Sequence, residues 1–130
     1  MEEFYLQTPE EGFVNITAEV KRILLHSPVR NGICLVFVPH TTAGITINEN
    51  ADPHVLDDMM LALEDMVPAL DYAHAEENSP AHVKSSLMGC SVTVPVLDHQ
   101  LVLGTWQGLY VCEFDGPRRR KVYVQVVGNG

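Results

Sequence analysis

Six histidines in a chain of 130 residues are the first candidates for chemistry. His40 follows the apolar run Ile33 to Val38, where the end of a rigid strand can present a side chain to a cleft. His74 and His82 stand eight residues apart in a polar segment, where neither is needed for packing. Three neutral imidazoles can fill three positions of a tetrahedral zinc site and leave the fourth open. Glu49, Asp52, Glu76 and Glu77 are the nearby carboxylates that could take the second ring proton of such ligands. Without a helical His-x-x-x-His pair, the same residues serve equally well as separately hydrogen-bonded histidines. His26, His54 and His99 fall on two helices and a turn, and read as surface or capping residues.

Carboxylates and arginines add two further possibilities. Glu49 and Asp52 follow His40 by nine and twelve residues across an expected hairpin, and a glutamate beside a histidine can serve acid–base chemistry. For Asp52 a second role already accounts for the residue: Asp52-Pro53 is a helix start, with the aspartate as cap. Arg118, Arg119, Arg120 and Lys121 form the only dense basic cluster, and period two places Arg118 and Arg120 on one strand face. The guanidinium fork suits a phosphate or carboxylate. A charge-protected edge strand, or ion pairing within this acidic chain, would use the same residues.

Composition limits the partners. Eight basic residues against seventeen acidic ones give a formal charge of −9, which repels a phosphate backbone at long range and excludes a general nucleic-acid binder. No apolar run approaches the roughly 20 residues of a membrane span, and the amino terminus lacks a secretory pattern, so a cytoplasmic protein with no membrane partner is expected. The three cysteines, Cys34, Cys90 and Cys112, are widely spaced in apolar sequence and read as small buried hydrophobes.

The elements that must position these residues follow from periodicity. Strands are expected at Phe4 to Thr8 and Phe13 to Ile16, then a short helix capped by Thr17 and stopped at Pro28. Asn31-Gly32 reads as a turn before the buried strand Ile33 to Val38, and Ile45 to Asn48 alternates as another strand. From Asp52 an amphipathic helix runs to Pro68, with Val55, Leu56, Met59, Met60, Leu63, Met66 and Val67 as its core stripe. Ala81 to Leu87 can form a short helix. Val92 to Val96, Leu101 to Leu103, Leu109 to Phe114 and Val122 to Val126 are strands, with a turn at Asp98-His99. Trp106, between glycines, is assigned to the core or a subunit interface. The expected architecture is one α+β domain over residues 1–130, with two main helices and a largely antiparallel or mixed sheet.

Three stretches together carry a resemblance. Pro39 to Pro53 (PHTTAGITINENADP), Leu103 to Gln107 (LGTWQ) and Glu113 to Arg120 (EFDGPRRR), with His74 and Asn78-Ser79-Pro80-Ala81-His82 between them, resemble the YjbQ family over nearly the whole chain. That resemblance implies a compact α+β fold assembled as a homotrimer. It also implies activity like that of a secondary thiamine-phosphate synthase, and a divalent metal, zinc first among candidates, held by His40, His74 and His82. The reaction joins a pyrimidine diphosphate to a thiazole phosphate and expels pyrophosphate, so a small phosphorylated molecule is the expected partner. The leaving group needs cationic or metal help. Arg118 and Arg120, with the hydroxyls of Thr41 and Thr42, are the expected phosphate contacts; Glu49 and His40 are the expected catalytic pair. A metal-assisted phosphohydrolase and a non-catalytic trimeric ligand-binding or assembly protein remain as alternatives.

Overall fold

A computed structural model describes residues 1–68, 70, 72, 73 and 78–129. His74, expected as a metal ligand, lies outside the described residues, as do Glu76 and Glu77. Among the described residues eight strands, β1 (Glu2–Gln7), β2 (Gly12–Asn15), β3 (Asn31–Phe37), β4 (Ala43–Glu49), β5 (Ser91–Leu97), β6 (Gln100–Leu101), β7 (Gln107–Glu113) and β8 (Arg119–Asn129), make two antiparallel sheets. One sheet has the order β1-β8-β3-β5-β6 and the other β2-β7-β4. Among the described residues three helices accompany them: α1 (Thr17–Leu25), α2 (Pro53–Met66) and α3 (Ser79–Met88). The α+β class agrees with the expectation; α3 contains the short helix expected at Ala81 to Leu87, and the strands are all paired antiparallel.

Alternation decides which residues meet between the sheets. Cys34 and Val36 of β3, Val94 and Val96 of β5, and Val122 and Val124 of β8 point inward from the larger sheet. Ile45 of β4 with Leu109 and Val111 of β7 answer from the smaller one, and Ile16, Val20 and Leu24 of the α1 region complete the cluster. The opposite face of β7, carrying Cys112 and continued by Phe114, packs with Leu63 of α2 and Ala81 of α3 in a second cluster. Smaller sheet and helices therefore form layers over the larger sheet, whose outer face is left uncovered by any described helix.

Local expectations fail where tertiary contacts supply another partner. β3 and β4 form no hairpin: they belong to different sheets, so residues 38–42 cross between layers. Asn31-Gly32 begins β3 instead of turning, because Gly32 lies against β8, where a Cβ would fall 2.0 Å from the Val127 carbonyl oxygen. Thr17 is not the cap of α1; Asn15 Oδ1 accepts from the Thr17 amide, and the Thr17 hydroxyl accepts from the Leu109 amide. Asp52 does cap α2, accepting from the His54 amide at 2.9 Å. Of the stripe on α2, only Leu63 and the following Val67 are buried, while Met66 is 66% exposed. Trp106 is 63% exposed in the β6–β7 connection, so it is not core. Cys90 is exposed, whereas Cys34 and Cys112 are buried as expected, and burial pushes the Cys34 thiol up to about 11.

Two close approaches lock the end of the sandwich near residue 40. α3 lies so near β4 that a Cβ at Gly44 would come within 2.7 Å of the Gly89 carbonyl oxygen, and Ser85 Oγ donates to the Ala43 carbonyl at 2.7 Å. At Gly116 a Cβ would lie 2.0 Å from the Pro9 carbonyl oxygen and 2.9 Å from Glu113 Cγ. Gly116→Ala must move backbone, and is expected to cost about 1–3 kcal/mol, read as a lowered midpoint in urea unfolding with an unchanged slope.

Candidate functional site

Period two puts a charged pair where apolar residues should be. Glu113 follows Leu109 and Val111 on the inward face of β7, and Arg120 precedes Val122 and Val124 on the inward face of β8. Glu113 is 0% exposed and Arg120 4%. Arg120 Nε donates to Glu113 Oε1 at 2.7 Å and Nη2 to Oε2 at 2.5 Å, a bidentate pair joining the two sheets. Thr8 Oγ1 donates to Glu113 Oε1 at 2.5 Å, and the Asp115 amide to Oε2 at 3.0 Å. Arg120 Nη2 also donates to Thr42 Oγ1 at 2.9 Å. Burial alone would raise the Glu113 carboxyl, but the bonds from Arg120, Thr8 and the Asp115 amide outweigh it and hold it below the ordinary range.

Around this pair opens a cleft of about 310 Å³, lined by Pro39, His40, Thr41, Thr42, Asn78, His82, Arg118 and Arg120. Arg118 forms its rim, with Nε donating to the Asp115 carbonyl at 2.7 Å and Nη2 to Asp115 Oδ2 at 3.0 Å. Asn78, which precedes α3, donates from Nδ2 to the same Asp115 Oδ2 at 2.9 Å. The Asn78 bond, with Arg118 beside it, holds Asp115 below the usual carboxylate range against the opposing effect of burial. His82 stands four residues after Asn78 on α3, and so on the same helix face.

His40 has one defining contact. The backbone amide of Lys121 donates to His40 Nε2 at 2.9 Å. An amide nitrogen only donates, so Nε2 must keep its lone pair. Burial first, and the Arg120 guanidinium second, push His40 below the ordinary histidine value, in keeping with a neutral ring.

The expected residues thus divide. His40, Thr41, Thr42, His82, Arg118 and Arg120 share one cleft. Glu49 is not with them: Ala43 pairs with Glu113 at the cleft end of β4, whereas Glu49 pairs with Gln107 at the other end, about 20 Å away at strand rise. There Glu49 Oε2 accepts from the Ala51 amide at 3.0 Å and supports the turn into α2. The metal expectation also meets an obstacle, because the Lys121 amide occupies the Nε2 lone pair of His40 and two guanidinium groups line the same cleft. No group of three or more His, Cys, Asp or Glu side chains able to hold a metal occurs among the described residues. His74 lies outside the described residues, so the obstacle is one at His40, whose Nε2 lone pair is already taken by the Lys121 amide. Glu113 and Asp115 were missed as site residues; the readable signal for the first was a glutamate on the apolar parity of Leu109 and Val111, matched by an arginine on that of Val122 and Val124.

A family model described as UPF0047 protein YjbQ-like matches residues 2–129. The chain belongs to this family. It is 50% identical over 120 residues to UPF0047 protein MJ1081 of Methanocaldococcus jannaschii, covering 92% of this chain and 87% of that one. It is 48% identical over 124 residues to UPF0047 protein YugU of Bacillus subtilis, covering 93% of each. Among solved structures, an uncharacterised YjbQ/UPF0047 family protein of Clostridium acetobutylicum superposes with a TM-score of 0.95 at 50% identity, covering 98% of this chain and all of that one (100%). A YbjQ-like protein of unknown function from Sulfolobus solfataricus gives a TM-score of 0.94 at 32% identity over 98% of this chain and 96% of its own.

Glu113→Gln leaves a buried guanidinium without its counter-charge and is expected to cost about 3–5 kcal/mol at neutral pH. Because the native carboxyl is held below its unfolded value, its contribution is complete above that value and fades as pH falls through the native one. Urea unfolding at a series of pH values should therefore show the gap between the two proteins narrowing on acidification.

Proposed function

We propose that the cleft seats the phosphate or pyrophosphate of a small phosphorylated substrate, as expected of a transferase resembling secondary thiamine-phosphate synthase. The observation that carries this reading is the division of labour between charges and donors. Of the two carboxylates beside the cleft, Glu113 has both oxygens engaged by Arg120, Thr8 and the Asp115 amide, and Asp115 is held through Oδ2 by Arg118 and Asn78. Those bonds use Nε and Nη2 of each arginine and leave Nη1 over, and Thr42 Oγ1 accepts from Arg120 while keeping its own proton to donate. Donors aimed at one small space favour a tetrahedral oxyanion.

The chemistry of the transfer agrees with that inventory. The thiazole nitrogen attacks with a lone pair and carries no proton to be removed, so joining it to the pyrimidine methylene requires stabilisation of departing pyrophosphate more than a base. Hydrolysis has to deprotonate water; Glu113 has both oxygens occupied, and the bonds from Asn78 and Arg118 hold Asp115 below the usual carboxylate range, which makes each a weak base. Among the alternatives this favours group transfer over phosphohydrolysis. A binding protein without turnover uses the same donors and is the second reading.

The resemblance also leads us to infer a homotrimer acting in the cytoplasm. Support for association comes from the uncovered face of the larger sheet, where Ile33, Phe37, Leu97 and Val127 are exposed, and from Leu61 and Met66 on α2. Sedimentation of the purified chain tests it: a trimer is expected, and a monomer at micromolar concentration contradicts it.

Calorimetric titration with pyrophosphate, followed by incubation with the pyrimidine diphosphate and thiazole phosphate, tests the site. Pyrophosphate is expected to bind, Arg118→Ala to weaken it roughly tenfold, and Glu49→Gln to leave affinity unchanged. Thiamine phosphate formed by the unmutated protein and reduced in Arg118→Ala supports the transferase. Binding without product leaves the binding protein, and no binding removes both.

A further inference from the structure

We propose that His40 is a fixed hydrogen-bond donor to the oxyanion in the cleft, and not a metal ligand, because the backbone of β8 determines which of its ring nitrogens carries the proton. This deepens the reading of the cleft as an oxyanion site and rests on it. The argument is an accounting of lone pairs. A neutral imidazole has one bare nitrogen and one N–H. The Lys121 amide, 2.9 Å from Nε2, can be accepted only by the bare one, which places the proton on Nδ1. Coordination through Nε2 would need the lone pair that the amide already uses. Coordination through Nδ1 would need the proton moved to Nε2, where it would face the proton of the Lys121 amide. Either mode breaks the contact that holds the ring.

What remains is a donor. His40 lines the cleft together with Arg118, Arg120, Thr41 and Thr42, and among the described residues no hydrogen bond engages Nδ1. Its anchor is as rigid as the fold allows. Lys121 follows Arg120 in β8, the strand whose neighbours are β1 and β3, and Arg120 is fixed by its bidentate pair with Glu113. The backbone that orders the guanidinium therefore also orients the imidazole one residue later. Lys121 thus positions His40 through its main chain, while its side chain turns to the opposite face to meet Glu3 at 3.3 Å and the rings of Tyr5 and Tyr123.

The test uses full-length protein labelled with 15N-histidine and long-range proton–nitrogen correlation spectra. His40 should show a protonated Nδ1 and a bare Nε2; inorganic phosphate should shift Nδ1, and one equivalent of zinc should leave both His40 nitrogens in place. A proton on Nε2, or a zinc-induced shift of either His40 nitrogen, overturns the proposal. Two substitutions separate the roles. His40→Gln can offer its amide oxygen near the Nε2 position, so it should unfold near the unmutated midpoint while binding phosphate roughly tenfold more weakly. His40→Asn can offer an amide N–H near the Nδ1 position and should keep more of the affinity, with a lowered midpoint. Unchanged phosphate affinity in His40→Gln refutes the donor role. If phosphate does not bind the unmutated protein at all, the oxyanion reading and the donor role fail together, while the zinc titration still decides ligation by itself.

Discussion

The buried pair of Glu113 and Arg120 is the constraint around which this end of the molecule is organised. Removing both charges from water is costly, and the cost is offset by the bidentate contact together with partners for both carboxylate oxygens. Here the partners come from both sheets: Thr8 follows β1, Thr42 precedes β4, and the pair itself joins β7 to β8. A hydrophobic contact in the same place would hold the sheets together as well, but it would tolerate sliding. Four bonds to one carboxylate have directions, so they specify how the layers meet. That specification fixes the Arg120 guanidinium, the crossing segment at residues 38–42 and, through the next amide, His40.

Much of this was legible in the amino-acid order, and the failures share a cause. The apolar alternation of Val122, Val124 and Val126 located β8, Asp52-Pro53 located the start of α2, and Asp98-His99 located a hairpin turn whose two residues both take positive φ. Each of those signals is local. Glu49 was placed near His40 because they are close in sequence, and this required a hairpin. The chain instead changes sheets between them, and one strand length carries Glu49 to the far end. The partly covered stripe of α2 shows the same limit, since a helix pattern states which face is apolar but not what covers it. The opposite error hid Glu113. No role was assigned to it, although its position in the β7 alternation put it inside.

The basic cluster shows how one short run is shared among different tasks. Four cations in a row would ordinarily repel one another and read as a single patch. Strand geometry separates them. Arg120 turns inward to Glu113, Arg119 stacks at 3.9 Å over the Tyr5 ring, Lys121 meets Glu3, and Arg118 stays at the rim with Asp115. β8 is central, between β1 and β3, so these charges do not serve to protect an edge. Arg119 and Lys121 belong to the outer face and contribute nothing directly to the cleft.

Local neutrality then bears on what the cleft can select. Arg118 and Arg120 bring two positive charges, and Asp115 and Glu113 return two negative ones. Against a chain carrying −9 overall, the site is therefore not a basin of positive potential, and a polyanion gains little by approaching it. Attraction has to come from oriented N–H and O–H groups at short range. Such groups reward an acceptor of the right shape and do little for charge as such. Pairing each arginine with a carboxylate also stops the guanidinium from following the ligand, so its donors are aimed before anything binds. That preorganisation is what a donor-lined site needs if it is to hold a small tetrahedral anion in an acidic protein.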